Sequence, residues 1–234
     1  MGLFEAAACN SREPGAFSRY GGVAPDGMAY RGDEGSMDWY RSKQAIVARL
    51  DGVVGRLAAA GVPPDAVTLS AIPLAVLGGA CLLLSPVAPL ALLVVPIAAG
   101  LRLATNLVDG ALARATGRTH ARGEMLNELC DRIADLAFLG PVAFLPGAQR
   151  ETVLLGLTGA VLASFVGVAS RAAGGARLYR GILSKPGRMA LLAAFAIAAL
   201  VLGPAAWGSF GPLLLLGTGL TVVERTVVAI RSLP

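Results

Sequence analysis

The amino-acid sequence predicts an all-α integral membrane protein with six transmembrane helices, preceded by a cytoplasmic amphipathic helix at the membrane interface. Three observations lead to this prediction. Hydrophobic residues make up 55% of the 234 residues and charged residues only 15%, well below the roughly 25% of soluble domains. Several apolar stretches approach the roughly 20 residues that cross a bilayer, and the mean hydropathy is +0.67. Basic residues cluster in alternate connections between those stretches.

The N-terminal region divides into two segments. Residues 1–37 contain Gly, Pro, Ser and charged residues without a sustained apolar run, so we expect a flexible polar tail and no secretory signal peptide. Residues 38–60 have apolar side chains at helical spacing with Arg and Lys between them, which is typical of an amphipathic helix in the headgroup region. A soluble linker helix is the alternative interpretation. Pro63 and Pro64 then end this helix.

Residues 61–234 form the predicted membrane domain. Its predicted spans are residues 66–84, 89–114, 123–146, 152–171, 187–203 and 210–230. Of the 20 basic residues, only Arg150 lies on the opposite side of the membrane from the rest. Because Lys and Arg accumulate in cytoplasmic connections, both termini are predicted to be cytoplasmic. The formal net charge of +5 therefore reflects membrane topology, and nucleic acid is not an expected partner.

Residues 106–131 are unusually polar for a stretch between two apolar spans. They join the cytoplasmic ends of the second and third predicted spans, where charged groups are costly unless they meet a cation, an opposite charge or water. A functional site facing the cytoplasm is therefore the default interpretation. Carboxylates recur on the third span at steps of four, three and four, which places them on one helix face: Glu124, Glu128, Asp131 and Asp135. With no lysine between them in the sequence, such oxygen ligands suit Mg²⁺, Mn²⁺ or Ca²⁺.

The end of the second span has complementary features. Asn106, Asp109, Gly110, Ala113 and Arg114 share one broad helix face. Gly110 and Ala113 have little or no side chain, so a ligand can approach the backbone closely. Arg114 can donate a charge-assisted hydrogen bond to a phosphate oxygen. The combination indicates phosphoryl transfer on a metal-bound diphosphate.

This stretch resembles the signature of the CDP-alcohol phosphotransferases, D-x-x-D-G-x-x-A-R, eight or nine residues, and G-x-x-x-D-x-x-x-D. The chain has N-L-V-D-G-A-L-A-R, eight residues, and G-E-M-L-N-E-L-C-D, with every spacing retained. The matching residues are Asp109, Gly110, Ala113, Arg114, Gly123 and Asp131. The resemblance extends to the six spans, to the amphipathic helix before them, and to a P-N-x-x-T element that corresponds to residues 64–68 and ends at Thr68.

By this resemblance, the protein transfers a substituted phosphate group, such as phosphatidyl, from a CDP-linked lipid donor to an alcohol and releases CMP, in phospholipid biosynthesis. The motif residues would hold two Mg²⁺ or Mn²⁺ ions on the donor's diphosphate, and Asp131 would be the general base for the acceptor. Thr68, Gly110, Ala113, Arg114 and Gly123 would contact the donor. The resemblance also implies a homodimer.

Three basic residues near the connection between the fourth and fifth spans correspond to a region that binds acceptor phosphate in family members with phosphorylated acceptors: Arg171, Lys185 and Arg188. The alternative interpretation is that these residues face anionic membrane lipid.

Two motif positions depart from the signature. The first and third aspartates are replaced by Asn106 and Asn127, which removes two of the four carboxylates. Amide oxygens can ligate hard cations, and Glu128, beside Asn127, is a candidate replacement ligand. Two interpretations stay open: an active transferase with an altered metal site, and an impaired relative that binds nucleotide or lipid without turnover. Glycerol phosphate, inositol phosphate, serine and a second lipid all remain possible acceptors.

Overall fold

The computed structural model describes residues 50–233, and within that range it is entirely helical apart from turns and connections. Helix α1 covers residues 50–59, the end of the predicted amphipathic helix; the rest of that helix and the tail of residues 1–37 lie outside the described residues. The other α-helices are α2 (Pro64–Leu84), α3 (Val94–Ala115), α4 (Ala121–Leu139), α5 (Arg150–Ala172), α6 (Lys185–Leu202) and α7 (Phe210–Ser232).

Three short 3₁₀ helices adjoin these elements, at Pro89–Leu93, Gly140–Phe144 and Pro204–Ser209. Each has a proline in its first turn. The N–H groups of a first turn have no carbonyl partner within the helix, so proline, which lacks an N–H, costs no hydrogen bond there. The third predicted span, residues 123–146, is therefore divided. Its α-helix ends at Leu139, and Gly140 and Pro141 begin a 3₁₀ turn, because a proline ring crowds the carbonyl four residues earlier.

Five helical segments in the described range are long and apolar enough to cross a membrane: Pro64–Leu84, Pro89–Ala115, Arg150–Ala172, Lys185–Leu202 and Pro204–Ser232. Helix α4 is not among them, because it carries six charged side chains in 19 residues. The third predicted span, residues 123–146, thus coincides with a helix whose composition alone does not identify it as a membrane span.

Glycines allow the helices to approach closely at two interfaces. A Cβ atom at Gly79 would overlap the carbonyl oxygen of Ala137, so α2 and α4 touch through their backbones. Between α5 and α7, a Cβ at Gly156 would lie 2.8 Å from the backbone nitrogen of Leu215, and one at Gly159 2.6 Å from Thr218 Oγ1. Small residues at these positions therefore pack helices, as is typical of membrane bundles.

The main apolar core combines residues of α2 to α7 and the 3₁₀ helices. At its centre the rings of Phe195, Trp207 and Phe210 meet, with Phe210 edge-on to the other two at centroid distances of 5.4 and 5.8 Å. A second, smaller cluster joins α1 to α3, where Val54 packs with Val108 and Leu112. This contact brings the end of the amphipathic helix against the stretch of α3 that contains the motif.

Candidate active site

A cavity of about 270 Å³ lies where the N-terminal ends of α2 and α4 meet the C-terminal end of α3. Much of its wall consists of residues that the sequence singled out, namely Thr68, Asp109, Gly110, Ala113, Arg114, Gly123 and Asn127. The rest of the wall comes from Pro64, Asp65, Arg118, Thr119, His120, Glu124 and Tyr179. Residues far apart in the sequence therefore form one polar pocket.

Asp109 is held in a fixed orientation inside this cavity. The Thr68 hydroxyl, on α2, donates a 2.8 Å hydrogen bond to Asp109 Oδ2, and the Gly110 amide lies 2.6 Å from Oδ1. Both Thr68 and Asp109 are buried. Both oxygens of the carboxylate therefore have a donor that fixes its orientation at the cavity wall.

The wall beside Asp109 is open to a ligand. A Cβ atom at Gly110 would meet only Arg114 Nη1, at 3.4 Å, so the backbone of α3 is accessible there. The Arg114 side chain is exposed, and no carboxylate among residues 50–233 pairs with it. This edge of the cavity therefore has an accessible backbone at Gly110 and the cationic side chain of Arg114, which together suit an anionic ligand.

The start of α4 is fixed by His120. Its Nδ1 accepts a 2.8 Å hydrogen bond from the Gly123 amide and so caps the helix, while Nε2 lies 3.8 Å from Asp65 Oδ2. A Cβ at Gly123 would lie 3.2 Å from the His120 ring and 3.4 Å from Asp65 Oδ1. The absence of a side chain at Gly123 therefore lets α4 begin directly against the start of α2.

Beside the cavity, Asp131 and Asp135 belong to a buried ion-pair network. Asp131 Oδ1 binds Lys185 Nζ and lies 3.4 Å from Arg102 Nη2. Arg102 Nη2 also lies 3.3 Å from Asp135 Oδ1, and Arg188 Nη2 lies 2.7 Å from Asp135 Oδ2. Arg102 is fully buried, with 0% exposure, so these charges depend on one another for compensation.

The other two carboxylates of the α4 stripe, Glu128 and Glu124, pair with arginines that do not contact Asp131. Both oxygens of Glu128 are bonded to arginines, one to Arg132 and the other to Arg177. Glu124 Oε2 lies 3.3 Å from Arg171 Nη1 in an exposed pair. Each acidic residue of the stripe thus has a basic partner, which comes from α3, α4, α5, α6 or the connection that follows α5.

The connection between α5 and α6, residues 173–184, is fastened against the bundle by Arg225 of α7. The Arg225 guanidinium donates hydrogen bonds to the carbonyl oxygens of Tyr179 and Arg180, both at 2.8 Å, and of Ala163 at 2.6 Å. The Tyr179 side chain lines the cavity, although 68% of it is exposed, and the Arg177 guanidinium lies 4.9 Å from the centre of its ring.

The structure groups the predicted site residues in two sets. Thr68 and six motif residues line the cavity, namely Asp109, Gly110, Ala113, Arg114, Gly123 and Asn127. The motif residues Asn106 and Asp131 do not line it, and neither do Glu128, Arg171, Lys185 and Arg188. Lys185 and Arg188 direct their charges at carboxylates of α4. Arg102 and Tyr179 were not predicted as site residues. For Arg102 a signal existed, since it precedes Asn106 by four residues and Asp109 by seven and so shares their helix face.

The cavity has oxygen donors for a divalent cation, although few. Among the described residues, no group of three His, Cys, Asp or Glu side chains is arranged to hold a metal ion. The available donors are the Asp109 carboxylate and Oδ1 of Asn127, which is buried and has no hydrogen-bond partner among residues 50–233. An unpaired buried acceptor is costly, and a cation or its water would satisfy it. Since Mg²⁺ commonly uses one or two carboxylates plus substrate phosphates, these donors fit an ion that arrives with a phosphorylated ligand.

Comparison with known proteins relates the chain to a membrane protein of similar sequence. No protein-family model matches it. The inner membrane protein YnbA of Escherichia coli (strain K12) is 34% identical over 132 residues, which is 56% of this chain and 65% of YnbA. The match thus spans slightly less than two thirds of that relative. Together with the five apolar helices, this similarity indicates an integral membrane protein.

Among solved structures, the fold is that of Mycobacterium tuberculosis phosphatidylinositol phosphate synthase. Its structure with CDP-DAG bound has a TM-score of 0.65 and 23% identity, covering 77% of this chain and 93% of that chain. Its complex with manganese and citrate also has a TM-score of 0.65, with 22% identity over 77% of this chain and 88% of that chain. The protein therefore has the helical membrane fold of that enzyme.

Proposed function

We propose that the protein transfers a substituted phosphate group, specifically phosphatidyl, from a CDP-linked lipid to an alcohol and releases CMP. The observation that carries this proposal is the polar cavity in which Asp109, Gly110 and Arg114 of α3 face Gly123 and Asn127 of α4. The proposal is further supported by the shared fold with a synthase whose structures contain CDP-DAG in one case and manganese in another.

The donor's diphosphate would lie on the open wall of α3. Gly110 and Ala113 allow close approach to the backbone there, and Arg114 would donate hydrogen bonds to phosphate oxygens. Thr68 keeps Asp109 oriented, and Gly123 keeps the start of α4 close to the nucleotide. When bound, Mg²⁺ or Mn²⁺ would neutralise the diphosphate charge. Its proposed ligands are Asn106, Asp109, Asn127 and Asp131; Glu128 is left out because both of its oxygens are bonded to arginines.

Asp131 is the proposed general base. It would take the proton of the acceptor hydroxyl while the acceptor oxygen forms a bond to the phosphorus that carries the lipid. The bond from that phosphorus to the bridging oxygen breaks at the same time, and CMP leaves with the bridging oxygen and its electron pair. The Lys185 ammonium, bonded to Asp131 Oδ1, would hold the carboxylate in position for this step.

The proposed membrane arrangement has six spans, cytoplasmic termini and a site open to the cytoplasm, where CDP-linked lipids and water-soluble acceptors meet. A homodimer is part of the proposal. Membrane lipid would contact the outer faces of the bundle, where large apolar side chains are exposed, for example Leu77, Ile97 and Phe165.

A second candidate is an impaired relative that binds nucleotide or lipid without turnover. Two observations favour it: the amides Asn106 and Asn127 stand where the motif has carboxylates, and Asp131 is already paired with Lys185 and Arg102. These features would weaken metal binding without closing the cavity.

Release of CMP by the purified protein in lipid distinguishes the two candidates. The assay uses CDP-diacylglycerol with a panel of alcohols, with and without Mg²⁺ or Mn²⁺. We expect metal-dependent release that is lost in Asp131→Asn and retained in Asp51→Asn, the same change at an exposed position of α1. The alcohol that supports release identifies the acceptor. Binding of CDP-diacylglycerol without CMP release under any condition would contradict catalysis and favour the impaired relative.

A further inference from the structure

Two cations occupy the first turn of α6, a place where positive charge is unfavourable. Lys185 is the first residue of the helix and Arg188 follows three residues later. A helix N-terminus carries a partial positive charge, which disfavours cationic side chains there. Both residues are instead bonded to carboxylates of α4, Lys185 to Asp131 and Arg188 to Asp135. Their placement therefore requires those carboxylates.

The charges of this network disfavour binding of a second divalent ion. Asp131 and Asp135 face Arg102, Lys185 and Arg188, so three positive charges surround two negative ones. A pair of metal ions about 3.5–4 Å apart clamps the attacking and leaving oxygens in two-metal enzymes, and such a pair needs carboxylates that are not already neutralised. Here Asn106 and Asn127 contribute no charge, and Oδ1 of Asp131 is bonded to Lys185.

The donors for one ion lie in the cavity, which Asp131 does not line. Asp109 and the unpaired Oδ1 of Asn127 line the cavity, where a diphosphate would complete the coordination. Asp131 follows Asn127 by four residues on α4, so Asp131 and its partner Lys185 lie one helical turn from this wall of the cavity.

We propose that Lys185 takes the place of a second divalent ion. Of the four ligands proposed above, only Asp109 and Asn127 line the cavity, and the site binds one Mg²⁺ or Mn²⁺ per chain there. The Lys185 ammonium, supported by Arg102, supplies the other positive charge beside Asp131, which then ligates no metal. Lys185 is thus a positioning residue that orients Asp131 toward the acceptor hydroxyl. This inference rests on the proposed transferase function, since it concerns how that reaction's charge is balanced.

The number of bound ions tests the inference directly. The full-length protein in vesicles containing CDP-diacylglycerol is titrated with Mn²⁺, and bound Mn²⁺ is counted by electron paramagnetic resonance. We expect one ion per chain with the spectrum of an isolated ion. In Lys185→Gln, removal of a nearby like charge should tighten Mn²⁺ binding by roughly tenfold, while CMP release falls. Lys185→Arg should keep the wild-type affinity and ion count, and Arg180→Gln, which changes an exposed cation of the neighbouring connection, should change neither property.

The number of Mn²⁺ ions bound to the wild-type protein can be measured whether or not the variants fold. Two Mn²⁺ ions per chain with a spin-coupled spectrum, together with normal CMP release, would overturn the inference and leave the proposed function intact. Unchanged Mn²⁺ affinity and unchanged CMP release in Lys185→Gln would likewise show that Lys185 has no role in metal binding or catalysis. Absence of both Mn²⁺ binding and CMP release in the wild type would overturn the proposed function and, with it, the inference.

Discussion

Asp109 and Asp131 are both buried, but their partners give them different chemistry. Asp109 is oriented by a neutral hydroxyl, that of Thr68, and by the amide of Gly110, so its negative charge stays available to a cation. Asp131 is bonded to the cations Lys185 and Arg102, which compensate its charge within the protein. Neutral partners leave the charge of a carboxylate uncompensated within the protein, whereas cationic partners already compensate it.

The hydroxyl of Thr68 is accordingly expected to matter for catalysis. In Thr68→Val the shape is nearly conserved, but Asp109 Oδ2 loses its 2.8 Å donor. A hydrogen bond to a charged group contributes about 1.5–3 kcal/mol, so kcat/KM for CMP release should fall by roughly tenfold to a hundredfold. Thr68→Ser keeps the hydroxyl and should retain most of the activity. Equal kcat/KM values for the Val and Ser variants would show that this bond does not support the site.

At the level of secondary structure, α4 is the element on which the site depends. It provides Asn127, Asp131 and Asp135, and its position is set by backbone contact with α2. At Gly79 even a methyl group would overlap the carbonyl oxygen of Ala137. Backbone atoms cannot rotate away as a flexible side chain can, so a larger residue at this point must move one of the two helices.

Gly79→Ala should therefore displace α4 and damage the site from a distance. We expect a melting temperature lower by roughly 5 °C, from an overpacking cost of about 1–3 kcal/mol, and a parallel loss of CMP release. The matched control is Gly100→Ala on α3, where a Cβ would meet no atom within 4 Å. The measurement is fluorescence-detected melting of both variants in the same detergent. If Gly79→Ala and Gly100→Ala have the same melting temperature, α2 and α4 do not make the backbone contact at Gly79.

Most helices could be predicted from apolar length, since the predicted span of residues 66–84 corresponds to Pro64–Leu84 and that of 152–171 to Arg150–Ala172. The boundary error in the third span has a local cause. The apolar run continues to residue 146, but Gly140 and Pro141 replace the α-helix with a 3₁₀ turn. Hydropathy does not register that change, because proline disrupts hydrogen bonding and sterics without making the segment polar.

The site was only partly predictable for a different reason. Motif spacing placed Asp109, Gly110, Arg114 and Asn127 on facing helices, and these residues do line one cavity. No sequence pattern indicates that the α4 carboxylates are paired with basic residues, because their partners are remote: Lys185 is 54 positions from Asp131. Long-range ion pairs depend on how the helices pack, and no local pattern encodes them.

For the whole molecule, the same ion pairs bear on membrane topology. Helix α4 is too charged to be identified as a span by composition, but its carboxylates at positions 128, 131 and 135 are paired within the protein. Paired charges that face a bundle interior are compatible with a membrane-embedded helix, whereas unpaired ones are not. A sixth span at α4 is therefore compatible with the packing, although hydropathy does not identify it. If α4 crosses the membrane, the connection between α4 and α5 lies on the opposite side from the connection between α3 and α4.

Cysteine labelling of the connections tests the six-span topology. Ala121, Gln149 and Ala173 are exposed positions before α4, before α5 and after α5, and replacing them with Cys removes no basic residue that orients the chain. With the native cysteines replaced, we expect a membrane-impermeant maleimide to label Ala121→Cys and Ala173→Cys only from the cytoplasmic side, and Gln149→Cys only from the opposite side. If α4 does not cross, Ala121→Cys and Gln149→Cys will be labelled from the same side. That result would contradict the six-span arrangement, because the ion pairs of α4 would then belong to a helix lying at the membrane surface.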